Sequence, residues 1–572
     1  MTIIFVCTAV ILFIFRLSGT FGETTKPSIS AQDALWLGER MYREGILPSG
    51  EPMQSYVKGD IPVAGTAFTC VSCHLRSGLG SVEGGIVTPP TNSSKLFQPV
   101  QVLYRGIQQK YFSLPPRRPA YTDVSLAEVL RSGLNPSGEI LNDVMPRYVL
   151  TDEDMAILIS YLKSLSSDFS SGYSANTLRF ATVITEDVNP KDRDAMLAAL
   201  EHFITIKNNT ARFYETKVDG RARPLAGSMM ASKDLAYLRL SLSRWVLKGS
   251  PDTWRSQLEA YYRKEPVFAL IGGISNSKWE TIHKFSEDNQ IPCLFPITDF
   301  PVISETDWYT LYFSKGYYQE GEAAARYLNS REDVFKGRAI VQIVRDSREG
   351  HALSDGFKKT WQDFGHPPPL TITLKPQQAL TKEFLKQAMD KEKPASVILW
   401  VGPEALPELE ALADISSRPE IIFVSSQYLR KNIWTLPEKI RKFTYITYPF
   451  TFSRYETKAS MAAAMGGLPV QDDVQQTLSL KNIPIKGNEQ KISNLTNSLI
   501  QILTMTLMDM KGNYYRDNFF DVISMVADQQ SQVYGRLSFG PGQRYASKGC
   551  YIVQLTEGPT PELIKRSEWI IH

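Results

Sequence analysis

Apolar and polar residues follow two different patterns, which change near residue 170. Before this point, apolar residues recur at helical spacing and predict a first helix from about Ser30 and a last helix after Thr151. After it, apolar runs of strand length alternate with amphipathic stretches, which is typical of parallel strands covered by helices. The Ser-rich segment 164–174 predicts a flexible hinge, and we place the linker at 169–177.

The second pattern is long enough for two lobes. We predict a late strand at 551–555 and eight earlier ones at 179–185, 211–215, 267–271, 291–295, 339–344, 396–401, 420–424 and 442–448. The predicted helices are 193–206, 252–262, 277–288, 319–329 and 381–390. Because the roughly 395 residues from 178 to 572 exceed one doubly wound sheet with short loops, we expect two such lobes.

The first residues predict an export signal. Residues 3–15 form an apolar run that is shorter than the about 20 residues of a membrane span, and small residues follow up to Gly22. We therefore predict a signal peptide at 1–22 and an exported, periplasmic protein with no membrane span after cleavage. The usual early Lys or Arg is missing and Arg16 follows the apolar run, so an uncleaved N-terminal membrane anchor is the alternative.

Composition narrows the classes of function. Hydrophobic residues make up 43% and charged residues 22%, which is typical of a globular protein. There are 63 Lys and Arg against 60 Asp and Glu, and the net charge of +3 argues against a nucleic-acid-binding protein. Since the apolar segment at the start is the one stretch suited to a membrane, a polytopic transporter is excluded.

The sequence CVSCH at 70–74 is a C-x-x-C-H motif, the attachment sequence of c-type haem. In this order two thiols add to the haem vinyl groups, and the adjacent imidazole becomes the proximal iron ligand. We predict one covalent haem c held by Cys70, Cys73 and His74. Half of a zinc site and a thioredoxin-like redox pair are the alternatives, but zinc needs two more ligands and the next His and Cys are His202 and Cys293.

A downstream methionine is the candidate for the second axial ligand. Met145 stands in NDVMPRY at 142–148, where Pro146 stiffens the chain and favours a loop. Met155 is the next candidate, but it lies on the apolar face of the last predicted helix and fits a core position better. Because His/Met ligation leaves no open position at the iron, we expect one-electron transfer with a redox partner protein.

Residues 30–168 resemble a class I cytochrome c domain through the first helix, the CVSCH motif, the Met-Pro loop and the last helix. The resemblance implies an all-α domain, and we expect Gly38 to let the first helix pack closely on the last near Tyr161. The segment between the first helix and the motif is longer than in small cytochromes and predicts an added loop over one haem edge. Candidates to pair with the haem propionates are Arg76, Arg117 and Arg118, with ordinary surface exposure as the alternative.

A second resemblance begins with VFALIGGISNS at 267–277, which is a strand, a glycine turn and a polar helix start. NQIPCLFPITDFP at 289–301, the strand at 338–341 and GRLSFG at 535–540 follow in order. These segments resemble a type I periplasmic solute-binding protein, like the branched-chain amino acid receptors of ABC importers, over about 178–560. The resemblance implies a two-lobed α/β module over 178–572, with lobe 1 at about 178–312 and 450–538 and lobe 2 at about 313–449 and 539–572.

Such a fold binds its ligand beyond the carboxyl ends of the strands. Hydroxyl and N–H groups at a helix start attract anions, which nominates Ser275, Asn276 and Ser277, with Thr298 from the next strand end. Capping of that helix by Asn276 or Ser277 is the alternative. The facing lobe nominates Glu349, Trp400 and Gln427.

The expected solute is not an ordinary branched-chain amino acid. The loop at 186–190 lacks the small residues typical of the family, and Gln427 stands where the family often has an acidic residue. An amide binds an α-ammonium group poorly compared with a carboxylate. We therefore expect a small acid, alcohol or amide, with an amide-like or amino-acid-like solute as the working class.

Together the two parts predict an exported monohaem c-type cytochrome that transfers single electrons and is joined to a solute-binding module. The alternative is a receptor of ABC-importer type whose haem reports redox state, with an ABC permease as a candidate partner. We expect no catalysis on the binding lobes, because Ser275 has no partner histidine and the His residues show no metal-binding spacing. Cys293 and Cys550 are expected to be buried strand thiols, with a bridge between them as the alternative.

Overall fold

The structure is a computed structural model, and it describes residues 29–571 except 84–85, 101–117, 217–232, 332, 334–337, 453–476 and 480–487. The predicted signal peptide at 1–22 lies outside the described residues. The chain divides into two compact units, Met1–Ser167 and Asp168–His572. No helix among the described residues combines the length and the apolar character needed to cross a membrane.

The first unit is built mainly from short helices. They are α1 (Ala31–Glu44), α2 (Cys70–His74), α3 (Ser93–Leu96), α4 (Asp123–Ser132) and α5 (Asp152–Ser164). Its strands are β1 (Gln54–Val57), β2 (Ile61–Ala64), β3 (Val82–Glu83), β4 (Ile86–Val87) and β5 (Arg147–Val149). The predicted first and last helices are confirmed, and they begin where Ser30 and Thr151 accept backbone N–H groups of the first turn.

Helices α1 and α5 cross at Gly38. A Cβ atom at this position would lie 2.5 Å from the Tyr161 Cβ and 2.8 Å from the Ile157 carbonyl oxygen, which glycine avoids. The predicted close packing of Gly38 near Tyr161 is therefore confirmed. Around the crossing lies the core of the unit, which includes Met41, Tyr42, Leu126, Leu130, Leu158 and Leu162.

The first unit is not all-α, and that prediction is wrong. β1 pairs antiparallel with both β2 and β5, so that Ser55 lies between Val63 and Tyr148. β3 and β4 form a second antiparallel pair. The added segment after α1 is thus a β-hairpin bound to the residues that follow Met145. These strands have two to four residues each, too few for an alternating pattern to be recognised in the sequence.

The second unit contains two sheets covered by helices, as predicted. The first sheet has the order β11–β10–β9–β7–β6, with β8 also paired to β7, and only the β6–β7 pair among these described pairings is antiparallel. Its strands are β6 (Tyr173–Ser174), β7 (Thr177–Thr185), β8 (Arg239–Leu247), β9 (Ala269–Ile271), β10 (Cys293–Leu294) and β11 (Thr310–Leu311). The helices of the same stretch are α6 (Pro190–Thr216), α7 (Lys233–Tyr237), α8 (Pro251–Lys264) and α9 (Glu280–Asp288). We call this sheet with its helices lobe 1.

The second sheet has the order β13–β12–β14–β15–β16–β18–β19–β17, with β20 paired to β18. The five strands from β13 to β16 run parallel, and β18 adds antiparallel to β16. The strands are β12 (Ile340–Arg345), β13 (Leu370–Leu374), β14 (Ser396–Trp400), β15 (Ile421–Ser425), β16 (Thr444–Tyr448), β17 (Thr477–Ser479), β18 (Gly549–Leu555), β19 (Glu562–Lys565) and β20 (Ile570–Ile571). The helices are α10 (Tyr317–Asn329), α11 (Arg348–Asp363), α12 (Lys382–Glu392), α13 (Ser426–Leu429) and α14 (Glu438–Arg441), with 3₁₀ helices at Pro403–Ala413 and Arg430–Thr435. We call this sheet with its helices lobe 2.

Along the described residues, the chain passes between the two lobes three times. It enters lobe 2 after β11, leaves it for lobe 1 after β17, and re-enters lobe 2 at β18. Between the last two passages, α15 (Asn488–Asp509) and α16 (Arg516–Met525) pack on lobe 1, where Leu499 and Phe519 share a core with Phe180.

Eight of the nine predicted strands of this unit fall on observed strands, and the ninth, 211–215, is wrong because it lies inside α6. Ala211 is buried on that helix, and one turn earlier the Lys207 ammonium donates to the carbonyl oxygens of Leu235 and Leu238 at 2.8 and 2.6 Å. Cys293 in β10 and Cys550 in β18 are buried, free thiols, as expected.

Candidate functional site

A cavity in the first unit collects all four residues that the sequence nominates to hold haem. The cavity has a volume of about 340 Å³, and Cys70, Cys73, His74 and Met145 all line it. The rest of its wall is mostly apolar, and includes Tyr42, Phe68, Ile86, Val87, Leu130, Ile140, Leu141, Leu158 and Leu162. The fold thus brings the methionine loop to the motif from a distant part of the sequence.

His74 is oriented by a backbone carbonyl. Its Nδ1 lies 2.8 Å from the Pro89 carbonyl oxygen, and since a carbonyl only accepts, Nδ1 carries the proton and Nε2 keeps its lone pair. Burial lowers the pKa of His74, while the bond to Pro89 acts in the opposite direction, so the neutral ring is favoured. Metal-binding histidines are oriented by such a bond from their other ring nitrogen.

The first thiol of the motif lies inside the cavity and the second at its rim. Burial raises the pKa of Cys70 to about 11, so this thiol stays protonated, whereas Cys73 is exposed. The Tyr148 hydroxyl lies 3.6 Å from the Cys70 Sγ and donates to the Phe68 carbonyl oxygen at 3.4 Å. Both thiols are free in the structure.

The loop that carries Met145 is held from two sides. Within it, the Asn142 side-chain oxygen accepts the Val144 N–H at 2.9 Å, and the Met145 N–H donates to the Asn142 carbonyl at 3.0 Å. From outside, the Arg147 guanidinium donates to the carbonyl oxygens of Met145 at 2.7 Å and Leu141 at 2.8 Å. A turn fixed in this way limits the freedom of the Met145 side chain at the cavity.

The donor set fits haem c better than the two alternatives. Two thiols, an imidazole and a thioether surround an apolar cavity, as covalent haem attachment with His/Met ligation requires. Among the described residues, no three His, Cys, Asp or Glu side chains come together in a way that could hold a metal ion, so a zinc site lacks its further ligands. The described strand pairings of this unit are all antiparallel, unlike the βαβ setting of a thioredoxin-like pair.

Met155, Arg118 and Arg117 are three of the other residues that the sequence suggested for the haem site. Met155 is only 2% exposed and belongs to the core, which confirms its structural interpretation. The Arg118 guanidinium donates to the carbonyl oxygens of Lys95, Leu96 and Gln98 near the end of α3, and its pairing with a haem propionate stays a prediction. Arg117 lies outside the described residues.

In lobe 1 the predicted anion-binding residues already face a carboxylate of the chain. Ser275, Asn276 and Ser277 follow β9, beside the end of β7. The Asp187 carboxylate accepts the hydroxyl groups of Thr185 and Ser277, the latter at 3.2 Å, and the Asn276 side-chain amide donates to the Asp187 carbonyl at 2.6 Å. This end of the sheet therefore offers negative charge rather than a free anion site.

Beside it, Thr298 and its neighbours form a charged and aromatic surface. The Thr298 hydroxyl oxygen accepts the Phe300 N–H at 3.0 Å, which shapes the turn after β10. Burial disfavours the charged form of Lys491, but the Asp299 carboxylate at 3.0 Å outweighs it and raises the pKa of Lys491. This ion pair connects α15 to the turn after β10.

From lobe 2, Glu349 lies in the first turn of α11 next to Arg348, which reaches the other lobe. The Arg348 guanidinium donates to the Asn276 carbonyl oxygen at 2.9 Å and lies 4.6 Å from the centre of the Phe300 ring. The two lobes thus meet here, near the ends of β9 and β12.

Gln427 and Trp400 lie deeper than the sequence suggests. The Glu320 carboxylate, fully buried, accepts the backbone N–H groups of Ser426 and Gln427 at 3.0 and 3.1 Å and so holds the loop that carries Gln427. Trp400 is 0% exposed, and its indole N–H donates to the Gln342 side chain at 2.8 Å. The structure does not bring Trp400 to the surface between the lobes, and we remove it from the candidate ligand-binding residues.

Sequence reasoning missed four residues that organise this region: Asp187, Glu320, Arg348 and Lys491. Asp187 stands in the loop after β7, and Arg348 begins the helix that follows β12, so the rule that ligands lie beyond strand ends could have nominated both. Nothing in the sequence distinguishes Glu320 or Lys491 from ordinary helix-surface residues.

Comparison with known proteins agrees with this architecture. Residues 247–478 match the model of the family described as periplasmic binding protein. A search of the curated proteins found no match.

The solved structures that are similar to this chain include proteins of ABC transporters. The fatty acid ABC transporter substrate-binding protein from Thermomonospora curvata is 14% identical, with a TM-score of 0.40 and coverage of 71% of this chain and 95% of that chain. The putative branched-chain amino acid ABC transporter from Rhodospirillum rubrum is 12% identical, with a TM-score of 0.41 and coverage of 65% and 99%. A solute binding protein of an ABC transporter from Rhodopseudomonas palustris HaA2, in complex with p-hydroxybenzoic acid, is 15% identical, with a TM-score of 0.43 and coverage of 69% and 97%. The family match lies within the second unit, and this unit has the two-lobed α/β fold of the periplasmic binding proteins.

Proposed function

We propose that this is an exported protein that binds a small solute in its second unit and carries single electrons through one covalent haem c in its first. The observation that carries the redox half is the cavity lined by Cys70, Cys73, His74 and Met145. The family match at 247–478 and the two-lobed fold support the solute-binding half.

Each residue of the cavity has a defined task in this proposal. Cys70 and Cys73 would hold the group through thioethers, and His74, oriented by Pro89, and Met145 would bind its iron. When bound, haem c supplies a one-electron couple, and the methionine raises its potential relative to two histidines. Because His74 and Met145 would both bind the iron, no position would be left for oxygen or peroxide chemistry.

The redox half is tested by the mass and spectrum of the protein matured in a host with cytochrome c assembly. We expect one added haem mass that resists acid and organic solvent, and its loss in the double variant Cys70→Ala, Cys73→Ala. Cys293→Ala removes a buried thiol of lobe 1 and is the control, which keeps the added mass. Absence of the haem mass from the wild-type protein would refute this half.

For the solute, the charges between the lobes favour a ligand without a carboxylate. The Asp187 carboxylate already occupies the hydroxyl groups of Thr185 and Ser277, and Glu349 stands on the facing lobe. A ligand carboxylate would be repelled there, whereas an amide or alcohol can donate hydrogen bonds to these acceptors. We therefore propose a small amide or alcohol.

Matched pairs of compounds test the solute class by thermal shift, because a ligand that binds only the folded state raises stability by RT ln(1 + [L]/Kd). Leucinamide with leucine, and benzyl alcohol with benzoate, differ mainly in the carboxylate. We expect any stabilisation to come from leucinamide or benzyl alcohol, the members of the two pairs that lack the carboxylate. Stabilisation by leucine or benzoate alone contradicts the proposed class.

A second candidate function is a receptor whose haem reports redox state, and it is favoured by the family match, which covers the binding unit alone. In that case an ABC permease is the partner, whereas a redox protein is the partner of an electron carrier. Ligand binding and haem potential would then be coupled reciprocally. Measuring the potential with and without a stabilising compound separates the two functions, because the electron carrier keeps its potential and the receptor shifts it.

A further inference from the structure

The residue after the Met-Pro pair, Arg147, makes contacts that a surface arginine does not need. Its guanidinium donates to the carbonyl oxygens of Met145 at 2.7 Å, Leu141 at 2.8 Å and Asn142 at 3.5 Å. The side chain is half-buried, and it lies against Gly133, where a Cβ atom would collide with the guanidinium. The planar fork of arginine suits several carbonyl oxygens at once.

The strand that carries Arg147 touches both sides of the cavity. In β5, Arg147 and Tyr148 are neighbours, and side chains of successive strand residues point to opposite faces. Tyr148 reaches the Cys70 Sγ and the Phe68 carbonyl oxygen, next to the motif. Arg147 reaches the backbone of the methionine loop. One short strand therefore fixes the distance between the thiol side and the methionine side.

Without the hydrogen bonds from Arg147, few restraints on the backbone of the methionine loop remain. Its remaining described backbone ties include the Asn142 turn and the bond from the Lys58 N–H to the Asp143 carbonyl at 3.0 Å. Neither of these bonds reaches the Met145 carbonyl, whereas Arg147 binds it directly. The side chain of Met145 starts from the same residue, so a shift of this carbonyl moves the sulfur.

We propose that Arg147 is a positioning residue that holds the Met145 loop in the conformation needed for sulfur–iron ligation. This inference rests on the proposed haem function of the cavity. Arg147 itself does not touch the group. It acts by keeping the ligand-competent conformation of the loop populated, and so it limits how readily another ligand displaces the methionine.

The test compares Arg147→Gln and Arg147→Lys with wild type in haem-loaded full-length protein. We expect Arg147→Gln to keep the added haem mass but to lose sulfur–iron charge-transfer absorption, and to bind added imidazole about tenfold more tightly, since the competing methionine is less often in place. Arg147→Lys keeps one charged donor and is expected to restore part of both properties.

Arg131→Ala is the matched control. Arg131 also donates to a backbone carbonyl, that of Leu150, and pairs with Asp152, but it does not reach the methionine loop. It should leave the charge-transfer absorption and the imidazole affinity unchanged. If Arg147→Gln behaves like this control, the positioning role is refuted while the haem function stands.

Absence of haem from the wild-type protein instead refutes the proposed function itself, and this inference with it. If Arg147→Gln does not fold, the Arg147→Lys and Gly133→Ala variants decide the test. The proposal is contradicted if both of these variants bind imidazole with the affinity of the wild-type protein. Gly133→Ala displaces the guanidinium by steric contact and should weaken methionine ligation in the same direction.

Discussion

The Nδ1 atom of His74 lies 2.8 Å from the carbonyl oxygen of Pro89, and this one bond fixes both the ring orientation and the tautomer. It leaves the lone pair on Nε2 and increases the basicity of this nitrogen. Because Pro89 lines the same cavity, the His74 ring and the wall around it are held by one segment. The structure thus presents an oriented histidine at the cavity.

Thiol titration distinguishes haem attachment from a free thiol pair. In protein without the leader, Cys73 is exposed and Cys70 half-buried, whereas Cys293 and Cys550 are buried. Burial raises the pKa of Cys293 to about 12 and that of Cys550 well above its ordinary value, so neither reacts in the native state.

With haem attached, we expect no reactive thiol in the native protein and two after denaturation. Without haem, Cys73 should react in the native protein and four thiols after denaturation. Four thiols in a preparation that carries the haem mass would contradict thioether attachment.

Replacing Gly38 by Ala tests the crossing of α1 and α5. The added methyl group would lie 2.5 Å from the Tyr161 Cβ, so the helices must separate, and we expect a loss of about 1–3 kcal/mol in the free energy of unfolding of the first unit. Urea unfolding followed by circular dichroism measures it. Gln32→Ala, at an exposed position on the same helix, serves as the control. Equal or greater stability of Gly38→Ala contradicts the close packing.

Glu320 should make the stability of the second unit depend on pH. Burial raises the pKa of Glu320 from 4.5 to about 7, although its hydrogen-bond donors act against this. The unfolded chain releases this proton near pH 4.5 and the folded chain only near pH 7. Stability from this group is therefore present below pH 4.5 and falls by up to about 3 kcal/mol as the pH rises to 7.

We expect melting temperatures measured from pH 4.5 to 7.5 to show a smaller decline in Glu320→Gln than in wild type, whatever the change in absolute stability. Glu489→Gln, at an exposed position in the first turn of α15, is the control and should keep the wild-type slope. Parallel curves for Glu320→Gln and wild type would show that Glu320 titrates normally.

Arg348 should favour the closed arrangement of the lobes. Its bond to the Asn276 carbonyl joins α11 of lobe 2 to the loop after β9 of lobe 1, so this bond exists only while the lobes meet there. Removing a charged hydrogen bond of this kind costs about 1–2 kcal/mol, so Arg348→Ala should lower the closed-to-open ratio about tenfold.

Fluorescent labels at positions 264 and 382, which are exposed on lobe 1 and lobe 2, report the distance between the lobes. Arg418→Ala removes a guanidinium that stacks on Phe443 inside lobe 2, 4.9 Å from the ring centre, and is the matched control. A label distance that is unchanged in Arg348→Ala would exclude the contact as a determinant of closure.

The sequence predicts most strands of the two lobes because buried parallel strands are continuous apolar runs, such as ILW before Val401. The mistaken strand at 211–215 contains Phe213 and Tyr214, and aromatic residues favour strands in isolation. Tertiary packing decides otherwise, since Met196, Leu200 and Ile204 place the same helix on the lobe 1 core.

The haem candidates could be found from the sequence because the attachment chemistry requires a contiguous motif. Their neighbours could not be found in this way. Arg147 and Tyr148 are ordinary residues whose roles come from strand pairing of β5 with β1, which connects segments far apart in the sequence. Trp400 was misplaced because a strand end suggests exposure, whereas Gln342 binds its indole in the interior.

The three passages of the chain between the lobes have a consequence for how such a protein can be shortened or recombined. Each lobe is assembled from separate stretches of sequence, so no single cut releases one lobe intact, and neither can be gained or lost by one genetic crossover. The first unit is a contiguous stretch, and one junction near Ser167 is enough to attach or remove it. A shortened form of the protein is therefore expected to divide there rather than within the binding module.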